Sequence, residues 1–541
     1  MLTSLLQTRR EDPMVTIARV TPSRRPVQMK NGIIRWDEFA RLEAPKIPAE
    51  FVVRQGIREA EMFIAAEIAK VFADGALPTS PGESLQVELA IHRVFAQAAD
   101  HVHHRVVEGA HQGDEFVEYA LSDALARPDV YQEGDREVPL TFLGGSSLPV
   151  RTPYVLARKR RVGSIPRSQR GKQGNGSYPV LRQLGFLDRV SPGLVSEIGN
   201  RVSSTSIEEA RVDLARRGID LDFKTVRTVA LRLAGQGVQA RDALLRSALE
   251  DPPAESSVRG LRLVISTDGG KVKVRVGGKR GRRNEKTRRR RYRTKWVEPR
   301  VLVIHVIDEK GKKVQHEVGV LDASIADCNE VFRMLVAYLK LLGAQEAAQL
   351  VIVADGAKWI WDDERMDKLI REVGIAPERV IQVLDFYHAT EHLGKIATLR
   401  ASWSDKERQK WIRKVRTMLW RGRVDAVLDE CKALCRGRRS KKISSLLDYI
   451  ERNRVRLNYP LFRKLRVPLG SGVIESAVRR VINLRLKGPG IIWEEENVEK
   501  MLHMRAQMKL GSWNRFVTNA LNYNVINYRQ IRNRSATAVA M

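Results

Sequence analysis

The chain has 541 residues, in which 95 lysines and arginines outnumber 64 aspartates and glutamates to give a formal net charge of +31. That length exceeds one ordinary hydrophobic core, so several domains are expected, and the excess of cations predicts attraction to a polyanion. No apolar run is long enough to span a bilayer and the basic segments are not amphipathic helices with aromatic faces, which sets membranes aside and leaves nucleic acid as the expected partner.

Residues 1–50 are mixed and basic, with Pro22, Pro26, Pro45 and Pro48 breaking any long helix, and read as a mobile arm. The first residues lack the apolar core of a signal peptide, so a cytoplasmic location is expected. Residues 51–129 read as helical, as in REAEMFIAAEIAKVFADGA, where apolar residues recur three and four apart. His101, His103, His104 and His111 scatter around such a helix, which favours solvated or packing histidines over a metal site. Residues 130–182 hold short β runs and then the basic loop RKRRVGSIPRSQRGKQGNGSYP, suited to contacting phosphates. Within 183–250, two short helical patterns flank GIDLD, with Gly218 ending the first and Asp222 capping the second. This segment resembles a helix-turn-helix, which would bring Lys224, Arg227 and Arg232 to DNA; an ordinary helical hairpin is the alternative.

An α/β domain is expected from residue 258. LRLVISTDGGKVKVRV, 261–276, is β-rich, and Asp268 follows its apolar centre. The densest basic run of the chain comes next, 276–296, where Arg288, Arg289, Arg290 and Arg291 suit phosphate binding beside Asp268. Two β runs joined by DEKGKK predict a hairpin, and a helix over 325–342 leads into LVIVADGAKWIW, 350–361. There a buried parallel-type strand surfaces at Asp355, at the carboxyl end where ligands of open α/β sheets bind; a plain Asp-Gly turn is the bland reading. VIQVLDFYHATEHL, 380–393, repeats the pattern with Asp385 and His388.

Residues 394–466 read as helical and basic, with Trp403, Trp411 and Trp420 suited to a core. Cys431 and Cys435 have no second Cys or His pair nearby to complete a zinc site, and with Cys328 they make 3 cysteines, an odd and sparse count for a disulfide framework. Residues 467–515 contain GSGVIESAVRRVINLRLKG, a helix opened by Ser471 whose positions 474, 477, 478, 481 and 482 form one apolar face. Glu475 lies at the edge of that face in the first turn, where it suits the helix dipole and could also pair with Arg479. Residues 516–541 read as a tail.

Three carboxylates, two from strand ends and one from a helix, are the hard oxygen ligands that magnesium requires while leaving positions for phosphate and water. The wording around them, STDGGKV, VADGAKWIW and GSGVIESAVRR, with spacings 355 − 268 = 87 and 475 − 355 = 120, resembles DDE transposases of bacterial insertion sequences. The resemblance is to the Kra-four group, related to the Mutator-like superfamily, and covers about 261–513. It implies an α/β RNase H-like catalytic domain, a mixed sheet flanked by helices, split into 258–393 and 467–515 by an all-helical insertion over 394–466. Mainly helical amino-terminal domains would precede it.

The same resemblance implies DNA cleavage at element ends and strand transfer into target DNA. Asp268, Asp355 and Glu475 would hold two magnesium ions, with manganese able to substitute, and Asp385 and His388 fit the superfamily's Cys-or-Asp, two residues, His pattern as a near-active-site pair. Lys358, Arg479, Arg480 and Lys487 would neutralise phosphates, and a homo-oligomer on double-stranded DNA is implied because two ends must meet. A nuclease or resolvase that does not join strands, and a non-enzymatic DNA-binding derivative, are the alternatives.

Overall fold

The computed structural model describes residues 45–126, 130–157, 176–277, 285–286, 292–315, 319–435 and 441–525. A five-stranded mixed sheet lies at its centre, in the order Val380–Leu384, Gln349–Ala354, Arg262–Gly269, Arg300–Ile307, Gly319–Ser324. The first three strands run parallel, and the last two continue the sheet antiparallel as a hairpin. The strand Gln349–Ala354 reads QLVIVA because both its faces are covered, which removes the polar alternation of a half-exposed strand.

Three cores cover this sheet. On one face Leu263, Ile265, Leu350 and Ile352 pack under the helices Cys328–Leu342 and Asp363–Val373. On the other, Val264, Val351 and Val353 meet the helices Phe386–Ala397, Asp405–Trp420 and Val424–Cys435. Of the three tryptophans expected in a core, Trp411 is buried in this second core and Trp403 packs at its margin, whereas Trp420 is 36% exposed. The antiparallel half, through Val301, Val303, Leu321 and Ala323, packs on the helix bearing Glu475, the helix Glu495–Leu510 and amino-terminal helices.

The β-rich run 261–276 divides in two. After Gly269 the chain leaves the main sheet, and Val272–Arg275 pairs instead with Thr294–Val297 and Trp493–Glu494 in a small second sheet. Arg288, Arg289, Arg290 and Arg291 lie outside the described residues.

Ahead of the α/β domain, the long helices Glu50–Val71 and Pro81–His111 pair with each other, and the second packs against the hairpin Val130–Thr141, Ser147–Ala157. His103 meets the Phe142 ring edge-on, His104 lies 2.8 Å from the Pro149 carbonyl, and His111 links the Val107 carbonyl to the Thr152 hydroxyl. These histidines pack and cap.

The segment resembling a helix-turn-helix has helices Ile207–Arg216 and Phe223–Glu250. Asp222 caps the second by accepting from the Thr225 N–H at 3.0 Å. That helix is 28 residues long and does not stop near Gly235 and Gly237. Gly237 is there for close packing: a Cβ at this position would lie 2.2 Å from the Phe516 ring. Among the described residues, no helix is long and apolar enough to cross a membrane.

Candidate active site

Sheet register brings Asp268, Asp355 and Asp385 to one level. Ile265 pairs with Ile352 in the parallel register, and Asp268 and Asp355 each lie three residues beyond that pair. Leu384 pairs with Ala354, and the Asp385 N–H donates to the Ala354 carbonyl at 2.9 Å. Three adjacent parallel strands therefore each end on an acid at the carboxyl edge. Strand alternation puts Asp268 and Asp355 on the face of Val264, Val351 and Val353, which the helical insertion covers.

Asp385 is 1% exposed and fully engaged. One carboxylate oxygen accepts from the backbone N–H groups of Tyr387 and His388, capping the helix Phe386–Ala397. The other accepts from both the N–H and the hydroxyl of Ser471, immediately before the helix Gly472–Val478. One buried carboxylate thus ties together the starts of two helices, where the dipoles favour negative charge. His388 Nε2 then lies 3.3 Å from Glu475 Oε1.

Among the described residues, Asp385, His388 and Glu475 form the group whose possible ligand atoms all lie within 4.8 Å of one another. Asp268, Asp355 and Glu475 do not close to that distance. Glu475, with its side chain 56% exposed, turns toward His388. Asp385 is poorly suited to hold an ion because both its oxygens are already occupied. Asp268 and Asp355 each commit one oxygen, to the N–H groups of Gly269 at 2.6 Å and Ala357 at 3.1 Å.

Electrostatics distinguish these two acids from ordinary surface carboxylates. Burial, and then the charges of Asp355 and Glu475, push the Asp268 carboxyl above the usual range against the opposing Gly269 N–H and His388. Burial, and then Asp385, do the same for Asp355, opposed by the Ala357 N–H and His388. Carboxyls perturbed by burial and by each other's charge in this way cluster at functional sites.

The helical insertion adds a residue that sequence reasoning missed. Tyr449, on the helix Lys441–Arg452, is 6% exposed and packs closely against Gly356, the residue after Asp355. His392 stacks on Tyr449 with ring centroids 3.6 Å apart and planes 2° from parallel. Burial raises the Tyr449 hydroxyl, with Asp355 and Asp385 adding to it. Burial, and then Lys395, lower His392 to about 4, so its ring is neutral at pH 7. A Cβ on Gly356 would sit 1.9 Å from the Tyr449 ring. Gly356→Ala is therefore expected to lower the melting temperature and disturb the Asp355 turn, and adding Tyr449→Ala should restore much of the loss. A Gly356→Ala protein as stable as wild type would contradict this packing.

Lys358, Arg479, Arg480 and Lys487 are all exposed, and Lys358 follows Asp355 by three residues. The helix bearing Glu475 widens into a π-helical turn at Arg479–Asn483, where the Arg480 carbonyl accepts from Arg505 Nε at 2.6 Å. Such turns re-aim the later residues of a helix. Lys224, Arg227 and Arg232 line a separate open groove, where Arg227 meets Glu494 at 3.3 Å and Arg232 meets Asp188. Comparison of the chain with protein-family models, with curated proteins and with solved structures finds no match.

Proposed function

We propose that the chain is a DDE-type polynucleotidyl transferase with an RNase H-like catalytic domain, acting as a DNA transposase. The carrying observation is that Asp268 and Asp355 stand level on adjacent parallel strands, while the helix that bears Glu475 has its start tied to the same sheet edge through Ser471 and Asp385. The sheet order supports the fold: the strand bearing Asp268 is central, the antiparallel hairpin follows it on one side and the two later parallel strands lie on the other.

The donor set fits magnesium, being carboxylate oxygens with Asp268 and Asp355 each retaining one oxygen beyond their backbone bonds. Asp268, Asp355 and Glu475 would hold it. When bound, magnesium supplies Lewis-acid activation at phosphorus and a deprotonated attacking oxygen. The chain's own residues do the rest. Asp385 fixes the two helix starts, His388 holds the Glu475 carboxylate at the edge of the site, and Lys358, Arg479, Arg480 and Lys487 meet phosphates.

The charges predict a test that does not require turnover. Because folding raises the Asp268 and Asp355 carboxyls, the folded chain holds protons that the unfolded chain has released, so stability falls as pH rises through that window. In EDTA at neutral pH, Asp355→Asn should therefore melt above wild type. Magnesium should raise the wild-type melting temperature, by about 1 °C per kcal/mol of stabilisation in a chain of this size, and leave Asp355→Asn nearly unmoved. Wild type indifferent to magnesium and manganese would sink the proposed metal site.

A further inference from the structure

The proposed chemistry leaves unused the outer face of the small sheet, whose composition is unusual. Val272 and Val274 are buried on its inner side. Lys273 pairs across the strands with Trp296, and Arg275 with Thr294, so strand alternation places Lys273, Arg275, Trp296, Thr294 and Tyr292 together on the outer side. Trp296 is 60% exposed and Tyr292 47% exposed. Each ring has its own cation: Lys273 Nζ lies 5.9 Å from the Trp296 centroid, and Arg275 Cζ 4.3 Å from the Tyr292 centroid.

We propose that this face is a stacking platform for the unpaired bases of a single-stranded nucleic acid segment. Large aromatic rings are costly to leave in water, and an exposed pair flanked by cations offers what a single strand presents: π faces for Trp296 and Tyr292, phosphates for Lys273 and Arg275. A duplex hides its base faces within the stack, so it can use the cations but not the rings. Among the described residues, Glu494 borders the platform, pairing with Arg275 in the strand register and itself met by Arg227 at 3.3 Å. The platform comes directly after Asp268, since Val272–Arg275 is the next strand in the chain, so strands melted near the proposed active site would find it close by. The choice of nucleic acid as partner rests on the function proposed for the carboxylate site.

The test uses the full-length protein in EDTA, so that no cleavage intervenes. Binding of a single-stranded oligonucleotide carrying 2-aminopurine is compared with binding of a blunt duplex of the same sequence. The expected result is quenching of the 2-aminopurine on binding, about tenfold weaker single-strand binding for Trp296→Ala, near-wild-type binding for Trp296→Phe, and duplex binding changed by less than about twofold. The slope of affinity against salt should be unchanged in Trp296→Ala and shallower in Lys273→Ala. Because Trp296 is exposed, the melting temperature of its variants checks folding. Equal losses on both substrates would overturn the platform in favour of a duplex contact. Unchanged DNA binding with an altered oligomeric state would assign the face to a second copy. Wild type that binds duplex but not single strands overturns the platform alone, whereas binding neither overturns the proposed function as well.

Discussion

Asp355→Asn should lower the rate of strand cleavage by about 10²- to 10³-fold while leaving DNA binding within about twofold. The size reflects the several kcal/mol that a metal ion contributes to charge stabilisation, at about 1.4 kcal/mol per factor of ten. Asparagine keeps the shape of the turn, since its side-chain oxygen can still accept from the Ala357 N–H, and the packing of Tyr449 on Gly356 is untouched. The substitution removes charge at a half-buried position beside Asp268 and His388. Binding should persist because the exposed cations Lys358, Arg479, Arg480 and Lys487 remain. Cleavage at the wild-type rate would remove Asp355 from the active site.

Asp322→Ala should destabilise the protein by about 3–5 kcal/mol, the usual cost of breaking a buried ion pair. Asp322 is fully buried on the strand Gly319–Ser324. It accepts from the Tyr338 hydroxyl at 2.7 Å, lies 2.9 Å from His503 Nδ1 and 3.7 Å from Arg241. Arg241 comes from the helix Phe223–Glu250 and also meets Glu499 at 2.8 Å, so the network ties the amino-terminal half to the sheet edge and to the helix Glu495–Leu510.

Burial alone would raise the Asp322 carboxyl, but His503 and Arg241 outweigh it and hold it down at about 2. A depressed carboxylate stabilises above its unfolded value, near 4, and that stability is lost as pH falls toward 2. Acid titration of wild type should therefore show a loss of stability in this window that Asp322→Ala lacks, and proteolysis of the variant should begin on the amino-terminal side of the sheet. A variant melting within a degree of wild type would contradict the network's role.

The strand-end placement of the acids was legible in the sequence because buried parallel strands leave a plain signature. LVIVA and VIQVL are short apolar runs that surface at an acid, so Asp355 and Asp385 could be placed at strand ends from pattern alone. The position of Glu475 could be read from the period of its helix, although the π-helical turn, whose Arg480 carbonyl accepts from Arg505, could not. Residues that act through distant partners stayed hidden. Tyr449 matters because it lies on Gly356, and its own surroundings, LLDYIERN, read only as amphipathic helix. Asp322, Arg241 and His503 belong to three segments that only the folded chain assembles.

The most direct test of the transposase reading is a strand-joining assay. Wild type and Glu475→Gln would be incubated in magnesium with labelled duplexes taken from the DNA flanking the protein's own coding sequence, together with a target plasmid. Labelled ends joined to the plasmid by wild type, with Glu475→Gln binding the same duplexes and joining none, is the predicted result. Cleavage without joining would contradict strand transfer and leave a nuclease, and binding without either reaction would contradict the enzymatic account altogether.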